Sequence, residues 1–196
     1  MRGFKEPVVF RFADLDLVRA EWRKYNISFM EGGERITIPE AADGTFEISS
    51  VNIEENSGKE PVNYVLPPGF TRITDPTNPQ LRQLNEQSMV LRVQDLEDGD
   101  ARAAFRNVNL DIRQYRRLRM EVHAEAMIGQ YLSDDELTAF IRIGSDYKSN
   151  FYEYEIPLKL TAPGRYNNKS DESRILVWPE ENSFNIDLSV FQDAKQ

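Results

Sequence analysis

Cysteine is absent from the 196 residues, and histidine occurs once. Without thiols there is no disulfide framework and no thiolate metal centre, and a single imidazole, His123, rules out a histidine-rich one. Basic residues are in deficit: 24 Lys and Arg stand against 33 Asp and Glu, a formal net charge of -9. That excess opposes the phosphate neutralisation on which nucleic-acid binding depends, so no nucleic-acid partner is expected. Apolar runs fall well short of the ~20 residues of a membrane helix. The start, Met1-Arg2-Gly3-Phe4-Lys5-Glu6, has no apolar core behind its basic residue and does not read as a signal peptide. Glu31-Gly32-Gly33-Glu34 puts carboxylates where a phosphate loop needs donors, and no G-x-S-x-G motif supports a nucleophilic serine.

What is present is enough for a core. Hydrophobic residues make up 40% and aromatics 11%, too rich for a disordered tail. Alternation of period two is the recurring pattern. Over 118–126, Leu118, Met120, Val122, Ala124 and Ala126 share one face, and Arg119, Glu121, His123 and Glu125 the other. Leu137, Ala139, Ile141 and Ile143 are expected inward, with Thr138, Phe140 and Arg142 outward. After turn residues at 144–150, Tyr152, Tyr154, Ile156, Leu158 and Leu160 oppose Phe151, Glu153 and Glu155. These three strands are expected to form an antiparallel meander. Further strands are expected at 88–93, 101–112, 175–178 and 183–190, with Pro157 and Pro179 at edges or bulges.

Helix signals are few. Asp14 precedes Leu15, Val18, Trp22 and Tyr25 at near-helical spacing, although 22–29 reads equally well as a strand, so at most a short turn of helix is expected there. Between 57 and 80 the prolines Pro61, Pro67, Pro68, Pro76 and Pro79 exclude a central strand or helix interior and predict a structured connection. The resulting expectation is an all-β antiparallel β-sandwich of jelly-roll, galactose-binding-like architecture with little helix. Residues 1–57 form an N-terminal β segment of this sandwich or the end of a preceding one, 58–80 the proline-rich connection and 81–196 the sandwich domain.

Several clusters invite a chemical reading, each beside a plainer one. Glu121, His123 and Glu125 face one way, but same-face neighbours lie ~6.6 Å apart along a strand, so the two carboxylates stand ~13 Å apart at the backbone, an awkward spacing for a glycosidase pair without a bulge. Glu153 and Glu155 fit an inverting separation better, yet Arg142 is placed to pair with them. A surface charge ladder explains all four. The acidic run 95–100, with Asp95, Glu97, Asp98 and Asp100, lacks EF-hand ligand order and is a structural-calcium site or an acidic turn at Gly99; Ser133-Asp134-Asp135-Glu136 carries a weaker version. Arg113, Arg116, Arg117 and Arg119 form a solvated strand face balanced by carboxylates or a partner patch. The outward face with Phe140 and Arg142 is a sugar-binding surface or a packing surface. No catalytic residue, cofactor or metal ligand is assigned beyond the calcium alternative.

An ordered set of segments resembles a known family. Val65-Leu66-Pro67-Pro68-Gly69-Phe70, Gln83-Leu84-Asn85-Glu86-Gln87-Ser88, Gly99-Asp100-Ala101-Arg102-Ala103, Ile143-Gly144-Ser145-Asp146-Tyr147, Phe151-Tyr152-Glu153-Tyr154-Glu155-Ile156-Pro157-Leu158 and Val177-Trp178-Pro179-Glu180-Glu181-Asn182 are similar to the SprA (Sov) family. The resemblance implies a large outer-membrane β-barrel of Bacteroidetes that serves as the conduit for type IX secretion and supports gliding motility, with soluble domains inserted between barrel strands. Lipid-facing alternations and aromatic girdles of barrel strands are missing here, so the chain is expected to be inserted, non-catalytic domain material, periplasmic or extracellular, meeting the membrane only through its parent. Its expected partners are other domains of the barrel, accessory secretion subunits or cargo. Tyr64, Phe70, Phe140 and Arg142 are the expected partner or glycan contacts. A carbohydrate-binding module on a jelly roll is the alternative.

Overall fold

Alternation decides where strands form in this chain, and the supply of partners decides where they stop. The structure, a computed structural model, describes residues 22–25, 46–72, 74, 86–96, 99–108, 111–146 and 150–193. In chain order these carry β1 (Arg23–Tyr25), β2 (Phe46–Val51), α1 (Ile53–Asn56), β3 (Ser88–Val93), β4 (Ala103–Phe105), a 3-10 turn at Ile112–Gln114, β5 (Arg117–Met120), β6 (Thr138–Gly144), β7 (Phe151–Pro157), α2 (Asp171–Val177), a 3-10 turn at Glu180–Asn182, β8 (Phe184–Asp187) and α3 (Ser189–Asp193). Strand predominates and helix is scarce. Among the described residues the sheets are two-stranded, β1 with β4, β2 with β3, β5 with β8 and β6 with β7; the wider sheets of a jelly roll are not among them.

The chain divides into two units, Met1–Ile48 with Arg92–Asn107, and Ser49–Leu91 with Val108–Gln196. In the first, β1 and β4 run antiparallel with Arg23 opposite Phe105 and Tyr25 opposite Ala103. Tyr25 meets Phe105 edge-on at 6.3 Å, and the Arg23 guanidinium lies 5.6 Å above the same ring. Most of the helical turn expected over 14–25 lies outside the described residues, and 23–25 is strand.

In the second unit the β6–β7 hairpin keeps most of its alternation, although Tyr154, expected inward, is 40% exposed. The register runs from Thr138 opposite Pro157 to Gly144 opposite Phe151. Leu137, Ala139, Ile141 and Ile143 with Tyr152, Ile156, Leu158 and Leu160 pack on Phe184, Ile186, Leu188 and Phe191. Gly144 is required by space: a Cβ there would lie 2.1 Å from the Asn150 carbonyl oxygen. Pro157 ends β7, as a residue without an N–H should.

Four expectations change. The strand expected over 118–126 keeps its ladder only to Met120, and β5 pairs with β8, Arg117 opposite Asp187 and Met120 opposite Phe184, so no three-stranded meander forms. Beyond Met120 the chain is held by single contacts, such as Thr161 N–H donating to the Ala124 carbonyl at 2.8 Å. Residues 175–178 are not a strand: α2 spans Asp171–Val177, started by the Ser170 hydroxyl accepting from Ser173 N–H, with Asp171 and Glu172 in the first turn. Among the described residues of the long strand expected over 101–112 only β4 is strand, and 183–190 divides into β8 and α3.

The 62–66 portion of the proline-rich stretch is deeply buried, with Val65 0% exposed and Val62 2%. Together with Tyr64, Leu66, Val177 and Trp178 it builds a second core, flanked by Val51, Ile53 and Tyr166. Pro67-Pro68-Gly69 then turns the chain, Gly69 taking φ 74.

Candidate functional site

A segment buried without a neighbouring strand must find other partners for its backbone. Residues 61–66 find them along 164–168. Gly164 N–H donates to the Pro61 carbonyl at 2.9 Å, and Val62 bridges Gly164 in parallel sense. From there side chains continue the pairing. Asn63 Oδ1 accepts from Tyr166 N–H at 2.7 Å while its Nδ2 donates to the Tyr166 carbonyl at 3.0 Å, and Leu66 N–H donates to Asn168 Oδ1 at 2.7 Å. Asn182, 0% exposed, clasps Lys159 in the same way at 2.7 and 2.8 Å. Trp178 Nε1 donates to the Val65 carbonyl at 2.9 Å, and Arg174 forks onto the carbonyls of Leu66, Pro67 and Phe70.

The densest polar cluster surrounds His123. Its Nδ1 lies 2.8 Å from the Val177 carbonyl and 3.2 Å from Thr161 Oγ1, and its Nε2 lies 3.2 Å from Glu125 Oε2. Lys59 pairs with the other Glu125 oxygen. The imidazole tilts against Trp178 at 5.8 Å. Burial by itself would raise the Glu125 carboxyl, but hydrogen bonds from His123 and Lys59 outweigh it and hold the group below its ordinary range.

Tyr64 forms a second cluster. Its hydroxyl bonds to Glu86 and lies 2.8 Å from Ser88 Oγ, and its ring meets Trp178 edge-on at 6.3 Å. Burial, then the Glu86 hydrogen bond, push the phenol well above its usual range, so it stays protonated. Tyr64 is thus a core residue, whereas Phe70 is exposed and Phe140 half-buried. Arg142 pairs with Glu153 and lies 4.2 Å over the Phe151 ring and 5.4 Å over that of Phe140.

Three of the four carboxylates singled out by alternation lie beside basic side chains. Glu121 faces Arg119 at 3.5 Å, Glu125 faces Lys59 and His123, and Glu153 faces Arg142. Asp135 takes Lys159 at 2.8 Å, Asp134 accepts from Leu160 N–H at 2.8 Å, and Asp100 takes Arg102 and the Ala101 amide. Glu97 and Asp98 lie outside the described residues. No group of three or more metal-ligating side chains occurs among the described residues. Arg117 stands across from Asp187, whose carboxyl is lowered first by the Ser189 backbone N–H and further by Arg116 and Arg117.

Alternation thus placed His123 and Glu125 side by side but was silent on Lys59, Thr161, Val177 and Trp178, which complete their cluster from other segments. The buried asparagines were missed too. A polar residue inside an apolar run, as in Val62-Asn63-Tyr64, was the available signal.

Fold and site define a mostly β protein whose described polar clusters join segments of its own chain. The chain belongs to the SprA_N family, described as motility related/secretion protein, whose family model matches residues 1–196. No curated protein matches it. A motility or secretion role fits a place in the cell envelope, and no helix among the described residues is long and apolar enough to cross a membrane.

Proposed function

We propose that this chain is a non-catalytic scaffold and interaction module of the outer-membrane translocon for type IX secretion and gliding motility in a Bacteroidetes bacterium. The observation that carries this reading is family membership across residues 1–196, and the expenditure of buried polar groups on internal joins accords with it. A module of this kind holds its shape through its own cores and presents an outer face to neighbours. Phe70, Phe140 and Arg142 are the surface residues assigned to such contacts, with the barrel's other domains, accessory subunits or cargo as partners. The carbohydrate-binding reading draws on the same outer face. Arg142 over the Phe151 ring occupies a face that a sugar would need, which favours packing.

The test is in the cell. The parent protein carrying Phe70→Ala, Phe140→Ala and Arg142→Ala together is compared with wild type for cargo secretion, gliding and co-purifying subunits, with its level in the envelope as control. Loss of secretion or of a subunit at normal protein level is expected. Unchanged secretion, gliding and partner capture, both for this variant and for an in-frame deletion of the region, defeats the proposal. Binding on a glycan array that the triple variant loses instead selects the carbohydrate reading.

A further inference from the structure

His123 lies where the two cores of the second unit meet. Its neighbours Val122 and Ala124 belong to the core built on Phe184, and Trp178 belongs to the core built on Val65. The Val177 carbonyl can only accept, so Nδ1 carries a proton, shared with the Thr161 hydroxyl at 3.2 Å. That hydroxyl directs its own proton to the Val177 carbonyl at 3.3 Å. Nε2 is left facing a second acceptor, Glu125 Oε2. A neutral ring with its proton on Nδ1 turns a lone pair toward that carboxylate, and an imidazolium turns an N–H toward it.

The charged groups at this ring are Glu125, from its own segment, and Lys59, which approaches from 57–66 and holds the other Glu125 oxygen. Residues 158–164 contribute the Thr161 hydroxyl, and α2 contributes its last carbonyl, both uncharged. We propose that His123 is a proton-operated latch between the two cores. When the ring gains its second proton it grips Glu125 and the end of α2 at once, and through Glu125 and Lys59 it ties down the 57–66 segment. When it gives that proton up, the Glu125 link opens and only the Nδ1 link remains. Glu125 stays ionised into stronger acid because its two cationic partners outweigh its burial. The latch therefore closes when the ring takes up its second proton and reopens when Glu125 itself takes one up, so cohesion is greatest where the ring is charged and Glu125 still ionised.

One histidine in the chain makes the test direct. Long-range proton–nitrogen correlation on the 15N-labelled 196-residue protein reads both ring nitrogens between pH 8 and 5.5, beside thermal unfolding of wild type, His123→Gln and Glu125→Gln. The expected result is a ring protonated on Nδ1 at high pH and on both nitrogens at low pH. Wild-type Tm should rise by about 2–4 °C across that range relative to His123→Gln, and Glu125→Gln should lose the same rise. Parallel pH dependence of Tm in all three proteins overturns the latch. Should the variants fail to fold, the wild-type spectra decide: a neutral ring protonated on Nε2, or Lys59 and Val177 amides that do not move with the ring's titration, overturns it equally.

Discussion

Asn63 offers the sharpest test of how the proline-rich segment is held. Its side chain is 6% exposed and stands in for a strand, satisfying the N–H and the carbonyl of Tyr166 together. In Asn63→Ala both Tyr166 groups lose their partner, and each half-buried group so orphaned costs about 1–3 kcal/mol. Tyr166 is half-buried, so water offsets part of this, leaving a loss of about 2–4 kcal/mol. For a chain of this length each kcal/mol moves Tm by about 2–4 °C, so a drop of about 4–16 °C is expected in a calorimetric or circular-dichroism melt. Asn63→Asp keeps the acceptor but sets a carboxylate oxygen against the Tyr166 carbonyl; it should destabilise at neutral pH and recover part of the loss in acid, where a protonated carboxyl donates again. A Tm for Asn63→Ala within about 1 °C of wild type would refute the idea that side chains replace the missing ladder, because that is the effect of an ordinary surface substitution.

Other substitutions probe neighbouring joins. Arg174→Lys keeps the charge but cannot fork onto the Leu66, Pro67 and Phe70 carbonyls; a loss of about 1–2 kcal/mol in urea unfolding is expected. Tyr64 loses its proton more readily in the unfolded chain than in the fold, because burial and Glu86 raise it from its ordinary value of 10.0. Its contribution is therefore whole below that value and declines as pH rises beyond it, and Tyr64→Phe should flatten the alkaline unfolding curve. Gly144→Ala drives a Cβ into the Asn150 carbonyl and should cost about 1–3 kcal/mol, with faster amide exchange in β6 and β7. Gly129→Ala meets nothing within 4 Å and suffers only from its φ of 82, so it should cost less than Gly144→Ala in the same assay.

Alternation of period two is a local property, and where each strand found the neighbour its pattern implied, the sequence was enough. The β6–β7 hairpin, with Leu137, Ala139, Ile141 and Ile143 inward, and β3 at Ser88–Val93 were legible in this way, as was the predominance of strand over helix. The run Ile175-Leu176-Val177-Trp178 was misread because four apolar residues fit either period, and the capping signal at Ser170 with Asp171 and Glu172 was passed over. Family resemblance was legible as an ordered set of segments and holds across the chain.

By itself, then, the sequence determined most of the strand stretches, which side chains of β6 faced a core, that no thiol chemistry was possible and which family the chain joins. Tertiary structure alone decided that β5 pairs with β8, that residues 62–66 build a core, and that Lys59, Glu125, Thr161 and Val177 gather about one imidazole. The physical reason is separation along the chain: Asn63 and Tyr166 are 103 residues apart. Side-chain periodicity reports only the two faces of one segment, whereas a hydrogen bond between distant segments depends on which of several apolar surfaces collapse together.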